Sequence, residues 1–328
     1  MPKISNEGVK IVKTKLSSPL ETAAEKLIEK GNFKDVQPMF ELVFEVIREI
    51  VLDDLSTGKI ENLHSNAKFY RVDISTMKDL NNPRKNVWRL FEGVDVVFHL
   101  AAKARVQPSI EDPVSFNQVN VNGTLNVLLA SHNTGVKRVV YSASSSAYGD
   151  ATRFPTPEEH STNPLSPYGL QKFVGEQYCK MFSEVYGLDT VSLRYFNIYG
   201  ERMNTEGAYC LVMGIFAKQM LDNKPLTITN DGKQRRDFTY VGDAVEANIL
   251  AATRDENFKG DVFNIGNGKN YSVNEVADMM GGEKTYGKEV IEPFQTLADN
   301  SKADLLLNWR PKGDLPSWIE KYKEELGI

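Results

Sequence analysis

The sequence predicts an α/β protein with a doubly wound parallel sheet and a smaller carboxy-terminal lobe. Three observations predict it. From residue 51 short apolar runs alternate with helical patterns, the rhythm of βαβ units. The runs at 50–52, 68–72, 94–100, 138–142 and 190–195 lead into Asp53, Asp73, Ala101, Ser144 and Asn197. In an open parallel sheet such positions converge on the crevice beyond the carboxyl ends of the strands, where ligands bind. After Gly200 the rhythm loosens into Pro, Gly and Asn punctuation, as expected of a covering lobe.

The first fifty residues read differently from the rest. They hold two glycines, Gly8 and Gly31, and consist of a polar lead, a helix over 21–30 and a second amphipathic helix over 36–50. Further on, helical patterns at 114–134 and 167–186 join successive strands. The second is well bounded, with Ser166 as N-cap, Pro167 at the first helical position and Gly187 past the end. A last helical run covers 316–326.

With 328 residues, 41% hydrophobic and 25% charged, the chain has the composition of a soluble globular protein of about two domains. A net charge of -5 excludes a broad basic surface for nucleic acid or an anionic membrane, so any phosphate must be met locally. Cys179 and Cys210 stand in no metal or redox spacing, and His64, His99, His132 and His160 are scattered; no metal is expected. Two buried thiols suit a reduced, cytoplasmic setting. Residues 1–10 lack the apolar core of a signal peptide. The stretch 39–52 is interrupted by Glu41, Glu45, Arg48 and Glu49 and is too short to cross a bilayer.

The chemistry begins with Tyr168 and Lys172. Four residues apart on one helix, they face the same side, so an ammonium can sit beside a phenol. Bringing a tyrosine from a pKa near 10 to about 7 takes about 4 kcal/mol, which a lysine and a cationic ring could supply in a dry cleft. The product is a base suited to a hydroxyl proton. Ser144 follows the strand at 138–142, where its hydroxyl can bond the same substrate oxygen, with Ser145 and Ser146 close by. By itself the tyrosine-lysine spacing equally describes an amphipathic helix with a surface lysine. Its setting in Ser166-Pro167-Tyr168-Gly169, after a serine cluster and Tyr148-Gly149, favours a site.

On those motifs the chain resembles the extended short-chain dehydrogenase/reductase family, and within it the UDP-sugar 4-epimerases. The resemblance also rests on Val51-Leu52-Asp53-Asp54-Leu55-Ser56-Thr57-Gly58, Phe98-His99-Leu100-Ala101-Ala102 and Asn120-Val121-Asn122-Gly123-Thr124. Leu193-Arg194-Tyr195-Phe196-Asn197-Ile198-Tyr199-Gly200 and Arg236-Asp237-Phe238-Thr239-Tyr240-Val241 complete it, in family order over about five sixths of the chain. The resemblance implies a Rossmann-like NAD-binding domain over 1–196, atypical over 1–50, to which 237–265 returns. Residues 197–236 and 266–328 then form the substrate lobe.

It also implies roles. Ser144, Tyr168 and Lys172 are the catalytic triad. Asp53 holds the adenosine ribose and, as an acid, favours NAD over NADP. Asp73 and Ile74 contact the adenine, Ala101 and Ala102 approach the middle of the cofactor, and Asn120 adds a further contact. Tyr168, Lys172, Tyr195 and Phe196 serve the nicotinamide end. On the substrate side Ser144 and Ser145 meet the sugar, Asn197 and Arg236 the diphosphate, and Glu292 the uridine ribose. Arg235 is expected to face solvent. Thr296 stands where a bulky tyrosine would exclude an N-acetyl group. A second phosphate arginine is replaced by Glu289, beside Lys288. The implied reaction is NAD-dependent C4 epimerisation of a UDP-sugar through a 4-keto intermediate, by a homodimer formed on the two long helices.

The pattern departs at the amino end. The family opens with a strand, a three-glycine turn and a helix, whereas residues 13–20, over which that turn would fall, contain no glycine. A nucleotide-sugar binding protein without catalysis is therefore the alternative reading. A 4,6-dehydratase ranks lower, because elimination needs an acid and a base where this chain has Ser145 and Ser146.

Overall fold

The computed structural model describes residues 9–13, 48–203, 210–290 and 292–328. Strands β1 (Val9–Lys13), β2 (Arg48–Asp53), β3 (Lys68–Asp73), β4 (Lys78–Asp79), β5 (Val96–His99), β6 (Arg138–Ser144) and β7 (Asp189–Tyr195) build most of the main sheet. Short strands β8 (Ile198–Tyr199), β9 (Leu226–Ile228), β10 (Arg235–Asp237) and β11 (Thr239–Tyr240) follow. Then come β12 (Asp261–Ile265), β13 (Asn270–Ser272) and β14 (Lys284–Tyr286). The main sheet runs β12-β7-β6-β5-β1-β2-β3-β4, while β10 with β13, β8 with β11 and β9 with β14 form three small pairs.

The helices are α1 (Val106–Glu111), α2 (Pro113–Asn117), α3 (Thr124–Thr134), α4 (Pro167–Tyr186), α5 (Val212–Leu221), α6 (Val241–Thr253), α7 (Val273–Met280), α8 (Ser301–Leu307) and α9 (Leu315–Leu326). The continuous apolar runs of β5 and β6 are explained by burial of both faces. Val97 and Val139 pack with Leu128 of α3 and Phe182 of α4 on one side. Val96 and Val140 pack with Ala247 of α6, Phe263 and Trp309 on the other. A separate core joins Phe216 of α5, Leu226 and Ile228 of β9, Val276 of α7 and Ile319 of α9.

The predicted helix over 114–134 is one helical path carrying a π turn at Gln118–Gly123. The turn sets Gly123 against Ile74, where an added Cβ would come within 2.8 Å of the Ile74 Cδ1.

Two expectations need correction. The helix predicted over 36–50 yields to β2 from Arg48 onward, because the apolar run Ile50-Val51-Leu52 pairs in register with Lys68, Phe69 and Tyr70 of β3. The remainder of that pattern, the helix over 21–30 and residues 14–20 lie outside the described residues. The sheet is also mixed. Strands β2 and β3 are parallel, as are β5, β6, β7 and β12 in succession, but β1, placed between β2 and β5, is antiparallel to both. Val9 and Lys10, read as polar lead, belong to that strand.

Candidate active site

The site grows from the carboxyl end of β6. Ser144 is its last residue, and the Ser144 Oγ accepts from the Ser146 backbone N–H at 3.2 Å and donates to the Ser146 Oγ at 3.1 Å. The turn that follows closes on Gly149, where φ is 65° and an added Cβ would come within 1.9 Å of the Asn163 carbonyl oxygen, which excludes any side chain. Ser145 sits half-buried beside Ser144. Tyr168 lies in the first turn of α4, one residue after the N-terminal Pro167, with Ser166 capping the Gly169 N–H at 3.1 Å. The Tyr168 N–H donates to Ser109 Oγ at 3.1 Å, which fastens α1 to the head of α4. Burial raises the Tyr168 pKa, opposed by its hydrogen bond with Ser144 and by the charge of Arg105. The serine is thus near enough to the phenol to lower its pKa, where the sequence reading set both on one substrate oxygen.

Lys172 stands one turn further along α4. Its Nζ donates to the Ser142 carbonyl at 2.8 Å and lies 5.1 Å from the Tyr141 ring centroid. An ammonium has three donors, so this bond fixes the chain and leaves others for a ligand. Gly175 makes the approach possible, since a Cβ there would come within 2.3 Å of the Tyr141 hydroxyl. Burial lowers the Lys172 pKa from 10.5 to about 8. The cation is present below that pH and is lost as pH rises through it. Turnover is accordingly expected to fall above about pH 8, and the limb to vanish in Lys172→Met; a pH profile of kcat that is flat to pH 10 contradicts this role.

The cofactor side is assembled from the ends of neighbouring strands. Asp53 closes β2 with its carboxylate accepting from the Leu55 N–H at 2.6 Å, and burial pushes its pKa up to about 6. Gly58 keeps space beside it, its Cβ position being 3.0 Å from Asp53 Oδ1. Asp73 closes β3 and holds its own turn through Ser75 and Thr76. Ala101 and Ala102 follow β5, half-buried. The Tyr195 hydroxyl accepts from Asn248 at 2.7 Å and from Ser142 at 3.3 Å.

Several expected side-chain contacts are already satisfied within the protein. Asn120, 1% exposed, accepts from the Lys103 N–H at 2.7 Å and donates to the Lys103 carbonyl and to Gln171. Its amide shapes the 101–103 loop and has no remaining donor for a cofactor. Ile74 is buried in the core under Gly123, and Phe196, 1% exposed, packs against Tyr148 and Ala298. Their rings and methyls are spent on packing.

Beneath the serine turn lies a group the sequence reading did not single out. Arg194 of β7 grips Glu176 of α4 through two hydrogen bonds of 2.9 and 2.5 Å, both side chains being almost fully buried. The guanidinium also lies 4.6 Å from the Tyr148 ring centroid, and the Tyr148 hydroxyl donates to Asn264 of β12 at 2.7 Å. The available signal was Arg194 itself, a charge inside the apolar strand Val191-Ser192-Leu193-Arg194-Tyr195.

Across the crevice the expected substrate residues meet. Arg236 of β10 forms an ion pair with Glu292, whose other oxygen accepts from Asn230 at 3.0 Å and Gln234 at 3.2 Å. Asn197 donates to the Asp237 carbonyl at 2.9 Å and to Thr296 Oγ1 at 3.4 Å, and that hydroxyl oxygen also accepts from the Asp237 N–H. Arg235, expected to face solvent, is instead tied to Asn270 and Glu275. Asp237 was missed. Its buried carboxylate accepts from the N–H groups of Asn267, Gly268 and Ala298, and burial still lifts its pKa to about 6. Asp237→Ala orphans three amides, so a loss of about 3 kcal/mol or more is expected in urea unfolding; an unchanged midpoint would refute that latch.

Residues 45–266 match the NAD dependent epimerase/dehydratase family. The chain belongs to that family. Among its relatives is a provisionally named UDP-glucose 4-epimerase of Methanocaldococcus jannaschii, 39% identical over 280 residues, or 83% of this chain and 88% of that protein. The family fold is shared with the UDP-glucose 4-epimerase of Thermotoga maritima solved with UDP-glucose, at 33% identity and a TM-score of 0.76, covering 93% of this chain and 95% of that one. The Thermus thermophilus UDP-glucose 4-epimerase complexed with NAD matches at 31% identity and a TM-score of 0.74, over 85% and 90% of the two chains. These confirm the α/β, Rossmann-type class and the epimerase/dehydratase resemblance.

NAD is the cofactor of this family. Two features fit it: the Asp53 carboxylate at the end of β2 suits vicinal ribose hydroxyls, and the Lys172 ammonium, one helical turn after Tyr168, has spare donors. The middle, where β1 runs antiparallel, has a different form from a doubly wound parallel sheet. Among the described residues there is no cluster of His, Cys, Asp and Glu able to hold a metal, and no helix long and apolar enough to cross a membrane.

Proposed function

We propose that this chain inverts the C4 centre of a UDP-hexose, with Tyr168 as the proton-transferring base, Ser144 orienting the C4 oxygen and Lys172 supplying positive charge. The observation that carries the reading is the placing of Ser144 at the end of β6, near enough to Tyr168 to lower its pKa, with the Lys172 ammonium one helical turn further on anchored on Ser142. When bound, NAD supplies the reversible acceptor for the C4 hydride. Tyr168 takes the C4 hydroxyl proton as the carbonyl forms and returns it when the opposite face is reduced. Arg236 meets the diphosphate, its planar guanidinium matching two oxygens at once. Glu292, already hydrogen-bonded to Asn230 and Gln234, is preset to accept from the uridine ribose. The short side chain of Thr296 leaves room for an N-acetyl group as well as a hydroxyl.

The serines at 145 and 146 offer no carboxyl pair for elimination, which favours epimerisation over dehydration. Exposed Val114, Leu170, Val185 and Tyr186 on α2 and α4 supply an apolar face for a homodimer. Buried Cys179 and Cys210 suit a reducing, cytoplasmic setting. The deciding experiment follows UDP-glucose, UDP-galactose and their N-acetyl forms by NMR with the full chain and excess NAD. Interconversion of one C4 pair is expected; formation of a 4-keto-6-deoxy product in its place would establish the dehydratase.

A further inference from the structure

In a doubly wound sheet the pyrophosphate of a dinucleotide rests where the central strand ends and the next helix begins, on backbone N–H groups aided by the helix dipole. Here the central position belongs to β1, and its direction is reversed. Val9 pairs with Leu52 of β2 and His99 of β5, whereas Lys13 lies opposite Arg48. The amino end of β1 therefore stands beside Asp53 and Ala101. Its carboxyl end is at the far edge of the sheet, about 13 Å away at ~3.3 Å per residue. Residues 13–20 read Lys-Thr-Lys-Leu-Ser-Ser-Pro-Leu, without a glycine to bring backbone against a phosphate. By contrast β2, β3, β5 and β6, which carry Asp53, Asp73, Ala101 and Ser144, all run in the direction that delivers those residues to one crevice. The groups for both nucleoside ends are in place while the strand that should cradle the charge between them points away.

We infer that this chain holds NAD chiefly by its adenosine and nicotinamide ends, the carboxyl end of β1 being turned away from the pyrophosphate, and so uses it as a weakly bound, exchangeable cofactor. The inference rests on the proposed epimerase reading and deepens it. Each charge-assisted hydrogen bond to a phosphate contributes about tenfold or more in affinity, so losing two or more weakens NAD by at least about 100-fold. The adenosine end then carries an unusual share of the binding, and Asp53 becomes its most sensitive residue.

The test uses the full chain as purified. Nucleotide released on denaturation is quantified, and NAD and UDP are titrated separately by calorimetry. Less than about a tenth of an equivalent of co-purified NAD is expected, with half-saturation by added NAD near or above about 0.1 mM. Asp53→Ala is expected to weaken NAD a further tenfold and leave UDP binding unchanged. A graft replacing residues 1–50 with the amino-terminal region of the Thermus thermophilus relative, which binds NAD in its solved structure, is expected to tighten NAD about 100-fold. Stoichiometric NAD in the purified chain, or a folded graft with unaltered NAD affinity, overturns the inference. Failure of UDP to bind overturns the substrate reading, whatever NAD does, so the two can fail separately. Should the graft not fold, the titration of the unmodified chain decides by itself.

Discussion

Tyr168→Phe is expected to lower kcat by about 1,000-fold or more while leaving UDP-sugar affinity within a few-fold of the parent. The substitution removes one oxygen and little else. Burial raises the Tyr168 pKa in the unliganded protein, so the phenol carries no structural charge there, and its base form needs the positive charge that Lys172 and a bound cationic nicotinamide ring would supply. The backbone bond to Ser109 that anchors α1 does not involve the side chain and survives the change. Ser144 retains its contact with Ser146, so the turn holds its shape. The measurement pairs initial rates in the presence of saturating NAD with calorimetric binding of the UDP-sugar. Turnover above a tenth of the parent rate would remove Tyr168 from the chemistry, and a collapse of binding would mean that the ring itself supports the pocket.

The second large effect concerns stability. Arg194→Met should cost about 3–5 kcal/mol, because it strands Glu176 as an unpaired charge in the interior. Arg194 and Glu176 are 4% and 2% exposed at the side chain, so water cannot take over the lost bonds. The pair joins β7 to α4, directly under the turn that presents Ser144 and within reach of the Tyr148 ring. A double variant, Arg194→Met with Glu176→Leu, removes both charges and is expected to recover much of the loss. Urea unfolding of the single and double variants separates these outcomes. Equal destabilisation in both would show that packing volume, not the orphaned carboxylate, sets the cost.

How much of this could be read without coordinates differs from element to element. The strands at Lys68–Asp73 and Asp189–Tyr195 and the helix Pro167–Tyr186 were legible because local signals agree with burial: aromatic and β-branched residues in the strands, and Ser166, Pro167 and Gly187 bounding the helix. Tyr168 and Lys172 were legible for the same reason, since a four-residue spacing has one geometric meaning on a helix. For Asn120 a sequence cannot show that both faces of its amide are already bonded to Lys103 and Gln171, the latter 51 residues away. The start of β2 was misjudged because apolar periodicity over 36–50 does not distinguish a helix from an approaching strand until pairing with β3 is known.

The order of motifs along the chain was enough to establish the family and the α/β class, because each depends on short-range spacing and on alternation of buried positions. Direction and bonding capacity depended on the folded chain. Whether β1 runs with or against its neighbours is a property of pairing between segments some forty and ninety residues apart, and no local pattern encodes it. On that single direction, set by pairing that only the folded chain reveals, rests the proposal that the cofactor is gripped by its two ends.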